Sequence, residues 1–106
     1  MIVFHKIHGL KEIAELKDDE FIISQTQEAL DLMAQIGLNC CNRIIIYEEN
    51  LHPNFFDLKT RIAGDILQKF SIYRIKLAII GDFSKYKSKS MQAFIRESNK
   101  GNIVYF

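Results

Sequence analysis

Proline occurs once and glycine five times in 106 residues, which excludes a collagenous, proline-rich or low-complexity chain. Apolar runs are short, and none approaches the roughly 20 residues that a membrane-spanning helix needs. Residues 1–9 include Lys6 and two histidines, so the opening reads as no signal peptide, and no membrane is expected. A cytoplasmic protein follows from that reading. Cysteine appears only as the adjacent pair Cys40 and Cys41. Neighbouring cysteines bridge only through a strained ring, and two thiols alone make no zinc site. The pair reads as reduced thiols in a loop leading into a strand. Histidine is equally sparse. His5 and His8 fall on opposite faces of a strand and His52 stands alone, so no histidine cluster has metal-ligand spacing. The glycine patterns that cradle nucleotide phosphates, GxGxxG and GxxxxGK[ST], are absent. No cofactor and no metal are expected.

What the chain does have is apolar material: 48% hydrophobic residues, eight of them phenylalanine. A chain of this length buries roughly two-thirds of its unfolded surface, enough for one core without staples. Its 14 basic and 13 acidic residues leave a net charge of +1, too little for a nucleic-acid binder. That balance conceals an asymmetry. Residues 1–57 hold 4 basic against 10 acidic residues, a net −6, and residues 58–106 hold 10 against 3, a net +7. If the halves stay apart in space, the surface is bipolar and would steer a charged partner or a second copy.

Residues 1–16 read as a hairpin turning near His8-Gly9, with glycine supplying the turn. Ala29, Leu30, Met33 and Ile36 recur at helical spacing over residues 24–36, with Gly37 in the stop position. Ile44-Ile45-Ile46 is β-branched and too short for a helix, which suggests a central strand covered on both faces. Leu77-Ala78-Ile79-Ile80 repeats the signature. Between them Phe55, Leu58, Ile62, Ile66, Leu67 and Phe70 predict one amphipathic helix, with Asn54 and Asp57 as a capping pair after Pro53. A third helix starts near Ser88 or Ser90, carries Met91, Phe94 and Ile95, and stops at Asn99-Lys100-Gly101 before a last strand, Ile103 to Phe106. The order β-β-α-β-α-β-α-β calls for a single α/β domain, residues 1–106, with a mainly parallel five-stranded sheet and an antiparallel N-terminal hairpin.

Four phrases are distinctive: Phe56-Asp57-Leu58-Lys59-Thr60, Gly64-Asp65-Ile66-Leu67-Gln68-Lys69-Phe70, Lys76 to Tyr86, and Phe94-Ile95-Arg96-Glu97-Ser98-Asn99-Lys100-Gly101-Asn102. Together they resemble a bacterial family known only as a domain of unknown function, number four-one-eight-zero in that series. The resemblance carries no activity with it. More weakly, the element order resembles the STAS-type domains of anti-sigma-factor antagonists, which are protein-binding modules that use a phosphorylatable hydroxyl after the middle strand. Here that stretch, residues 48–55, has no hydroxyl, so the resemblance implies topology alone.

In open parallel sheets, ligands bind beyond the carboxyl ends of the strands. The segments to inspect are therefore residues 48–57 and 81–90. Glu48 and Asp82 would converge there and could share a proton or hold a hard cation, although carboxylates at strand ends commonly cap the next helix. Ser84, Lys85 and the hydroxyl-rich stretch before the third helix form a candidate anion site. The candidate ligand-binding residues are Glu48, Asp57, Asp82, Ser84 and Lys85, with none assigned to catalysis. The first functional reading is a non-enzymatic regulatory or protein-interaction module. A small-ligand or anion-binding domain is the alternative and a carboxylate-dependent enzyme the remote one. A final strand ending in Tyr105-Phe106 leaves an apolar edge or face, which points to a protein partner or a homodimer.

Overall fold

The computed structural model describes every residue other than 8, 19–22 and 102, and at residues 7 and 10–12 it describes the backbone. Five strands make one sheet: β1 Ile2–Ile7, β2 Leu10–Leu16, β3 Arg43–Tyr47, β4 Lys76–Ile80 and β5 Val104–Tyr105. Three helices connect them: α1 Thr26–Gly37 after β2, α2 Ile62–Ile72 after β3, and α3 Lys89–Lys100 after β4. The hairpin turns with Gly9 at φ +81°, where a side chain would be strained. His8 lies outside the described residues.

Strand order is strictly sequential, β1-β2-β3-β4-β5, antiparallel for the first pair and parallel thereafter. β3 and β4 pair residue for residue, from Arg43 opposite Lys76 to Tyr47 opposite Ile80. Sequential order has a large consequence. Each crossover moves one strand in the same direction, and right-handed crossovers then place every helix on one face.

Burial agrees with that geometry. Ala14, Leu16, Ile44, Ile46, Leu77, Ile79 and Val104 are buried and form one core with Ala29, Leu32, Met33 and Ile36 of α1 and Ala63, Ile66 and Phe70 of α2. Their strand neighbours Ile13, Glu15, Ile45, Tyr47 and Ala78 are half-buried, and Ile80 and Tyr105 are exposed. The isoleucine run of β3 is therefore covered on one face, not on two. A continuous apolar run does not by itself reveal that the opposite layer is missing.

The segment before α2 also departs from the pattern. Instead of one helix starting near Phe55, the chain makes two short 3-10 turns, Pro53–Phe56 and Leu58–Thr60, and α2 begins only after Arg61 at φ 61°. Competing local bonds explain the break. The Thr60 hydroxyl shares its one proton between the carbonyls of Asn54 (2.7 Å) and Asp57 (2.8 Å) and accepts the Ile62 N–H. The His52 imidazole, not Asn54, caps the first turn by accepting the Asn54 N–H, and Asp57 caps the second by accepting the Lys59 N–H. At the end of α1, Gly37 is the last helical residue and the left-handed turn falls on Cys40, at φ 57°. α3 starts where Ser88 accepts the Met91 N–H.

Candidate functional site

The carboxyl ends of β3 and β4 lie side by side, so the loops that leave them share one rim. Glu48 continues directly from β3, and its side chain is only 15% exposed. Three donors converge on it. The Lys85 ammonium lies 2.7 Å from Oε2, the Tyr86 hydroxyl donates to the same oxygen at 2.6 Å, and the Asp82 backbone N–H donates as well. Burial by itself would raise the Glu48 carboxyl, but these donors outweigh it and hold the group below the usual glutamate range. Tyr86 moves the other way: burial first, then the hydrogen bond to Glu48, push its hydroxyl far above the usual tyrosine value. It stays a neutral donor.

Gly81 makes this approach possible. A Cβ there would sit 2.5 Å from Glu48 Cβ and 2.7 Å from Oε1, so the Glu48 side chain packs on bare backbone of the neighbouring loop. The two loops are thereby fastened together. Phe56 stacks on Tyr86 with centroids 4.6 Å apart, Lys85 lies 5.5 Å from the Tyr86 centroid, and Phe83 and Phe106 extend the aromatic group. Phe106 is held among Phe55, Phe83 and Phe94, which removes it from the strand edge and leaves Tyr105 as the apolar residue of β5 that meets solvent.

Above these groups opens a concavity of about 520 Å³ bordered by Tyr47, Glu48, Glu49, Phe56, Ile80 and Lys85, among others. Of the five residues singled out from the sequence, Glu48 and Lys85 meet here as an ion pair. Asp82 turns instead to its own loop, accepting from the Ser84 N–H (3.1 Å) and hydroxyl (2.6 Å), which holds its carboxyl below the usual range. Asp57 caps its 3-10 turn and does not border the concavity. The convergence of Glu48 with Asp82 is thus between a carboxylate and a backbone N–H, not between two carboxylates. Among the described residues, no group of three His, Cys, Asp or Glu side chains is placed to hold a metal ion.

Residue types alone did not reveal Tyr47, Tyr86, Phe56 and Asn50 as structural partners of the rim. Asn50 is fully buried. Its side chain accepts the Tyr47 N–H and donates to the Asp18 carbonyl at 2.7 Å, tying the rim to the end of β2. Beside it Ile23 bridges in parallel to Leu51. An asparagine three residues after the end of an apolar run, where its side chain can accept a strand-end N–H, was the available signal. On the sheet face without helices, Glu15 joins Tyr47, whose hydroxyl donates to Oε2, with His5, whose Nε2 lies 2.8 Å from Oε1. The Tyr47 bond first, then the His5 bond, hold the Glu15 carboxyl below its ordinary value. His52 is not alone either: it lies close enough to Glu28 to favour that carboxylate, which Ser24 holds low in the first place.

No helix among the described residues is long and apolar enough to cross a membrane. No curated protein and no solved structure matches the chain, so the STAS-type resemblance rests on element order alone. The long phrases around Phe56, Gly64, Lys76 and Phe94 are accounted for by a family model that matches residues 8–106, and the chain belongs to that family, described as a domain of unknown function (DUF4180).

Proposed function

We propose that this protein is a non-enzymatic interaction module whose rim, formed by the loops after β3 and β4, receives a protein partner. One observation carries the reading: Glu48, Lys85 and Asp82 are already engaged inside the molecule. Glu48 pairs with the Lys85 ammonium and accepts the Tyr86 hydroxyl, and Asp82 accepts from Ser84. A general acid or base needs a carboxyl held near the working pH, and such groups are raised by burial or by a like charge. Glu48 and Asp82 are both lowered. Lys85, the cation that an anion site would use, is engaged by Glu48. Beside the exposed Glu49, the rim offers outward apolar and aromatic surface: Ile80, 48% exposed, with Tyr47 and Phe56. Amphipathic aromatics around an open hollow are the composition of a recognition surface.

Affinity purification from the native cell, run beside a metabolite thermal-shift screen, tests this. The expected result is a defined protein retained by the wild type, lost on Ile80→Asp and kept by Lys85→Ala. A metabolite that stabilises the wild type but not Lys85→Ala, with no such protein retained, would instead establish a small-ligand site.

A further inference from the structure

We infer that the helix-free face of the sheet is a self-association surface, on which a second copy packs face to face with the β1–β2 side of each copy over the β4–β5 side of the other. This goes beyond the rim reading and does not depend on it. The first observation is the face itself. Ile13, Ile45 and Ala78 stand half-buried with no helix above them, Tyr105 is 44% exposed, and all four line one shallow apolar depression with Arg43 and Lys76 at its lower end. It is an apolar surface that no element among the described residues covers.

The second observation names the occupant. Strand order equals chain order, so the charge asymmetry of the sequence is laid out across the sheet. The half with net −6 builds β1, β2, α1 and β3, and the half with net +7 builds α2, β4, α3 and β5. A body with an acidic side, a basic side and an apolar face is complementary to itself. A two-fold axis along β3 sets acidic side over basic side twice, in an isologous contact. An axis across the strands would set like over like. Within the face, the Glu15 carboxylate is bonded by Tyr47 and His5. Arg43 and Lys76 are exposed at the lower rim, where solvent screens the meeting of like charges.

Strands about 4.8 Å apart, rising about 3.3 Å per residue, with five residues in β3 and β4 and two in β5, give a face of at most roughly 400 Å² per copy. That is below the standard specific interface, so the dimer is weak, with a Kd in the upper micromolar range.

Sedimentation velocity from about 1 μM to about 500 μM tests the inference. The expected result is a monomer–dimer equilibrium that weakens at least tenfold when salt rises from about 0.05 M to about 0.5 M. Ala78→Glu, which sets a carboxylate over the acidic side of the second copy, should abolish it. Tyr105→Asp, at an exposed position in a two-residue strand, is the second variant should Ala78→Glu fail to fold by circular dichroism. On the axis, Ile45 meets its own counterpart, so Ile45→Cys in a Cys40→Ser background should form an interchain disulfide under mild oxidation. A monomer throughout the range would overturn the inference. So would a dimer indifferent to both face variants, which would join through a sheet edge, or one that tightens with salt.

Discussion

Glu48 shows how little room the rim leaves for alternative uses of its charge. It sits where β3 ends, packs on Gly81 where β4 ends, and binds Lys85 and Tyr86 farther along the same loop. Removing the carboxylate charge by Glu48→Gln should cost about 1–3 kcal/mol, because the donors lose a charged acceptor. Gly81→Ala should cost a similar amount by forcing Cβ against Glu48 Cβ. The two effects share one contact, so the double variant Gly81→Ala with Glu48→Gly, which removes the Glu48 Cβ as well, should be less destabilised than the sum of the singles. Urea denaturation of the four proteins checks this; strict additivity would mean that the loops are not fastened here. The sequence pointed to Glu48 and Lys85 because strand-end position and residue type sufficed. It could not show that they would neutralise each other, since that depends on where two loops meet in space; the bonds from Ser84 to Asp82, two residues apart in one loop, are local and compete with any ligand for that carboxylate.

At the scale of elements, strand and helix positions were largely legible and their boundaries less so. β3 and β4 stand where the β-branched runs indicated, and their parallel pairing followed from alternation with helices. The region from Pro53 to Arg61 was misread as helix because its apolar spacing fits one. Thr60 and Asp57 redirect the backbone through side-chain bonds that periodicity does not register. Arg61, left-handed at φ 61°, should accept glycine readily. Arg61→Gly is expected to leave stability unchanged or raise it by up to about 1 kcal/mol, whereas Thr60→Val should lower it by about 1 kcal/mol through loss of the shared donor to Asn54 and Asp57 and of the acceptor for Ile62 N–H. Thermal unfolding distinguishes these from a continuous helix, in which the glycine would be the damaging change.

For the whole molecule, the decisive feature is that chain order and strand order coincide. It stacks all helices on one side, exposes alternate residues of an apolar sheet on the other, and keeps the acidic and basic halves of the chain apart. Burial on both faces was the wrong inference from Ile44-Ile45-Ile46, because strand order is not written in any local pattern. Acid sensitivity is also a property of the whole. Glu28, Glu48, Asp82 and Glu15 are each held below their ordinary values in the fold. A depressed folded value contributes stability above the unfolded one, near 4.5 for glutamate, and that contribution is lost as pH falls through the folded value. Unfolding free energy should therefore be level from about pH 7 to about pH 5 and decline below about pH 4.5, with a shallower decline in Glu48→Gln. An increase in stability on acidification would contradict these assignments.

The account stands on an uncovered sheet face, and isoleucine methyl groups report on it directly. In dilute protein with a soluble paramagnetic agent, the methyls of Ile45 and Ile80 should relax markedly faster than those of Ile44, Ile46 and Ile79. Equal protection of Ile45 and its two neighbours would mean that a second layer covers the sheet, contradicting both the single helix layer and the surface built on it.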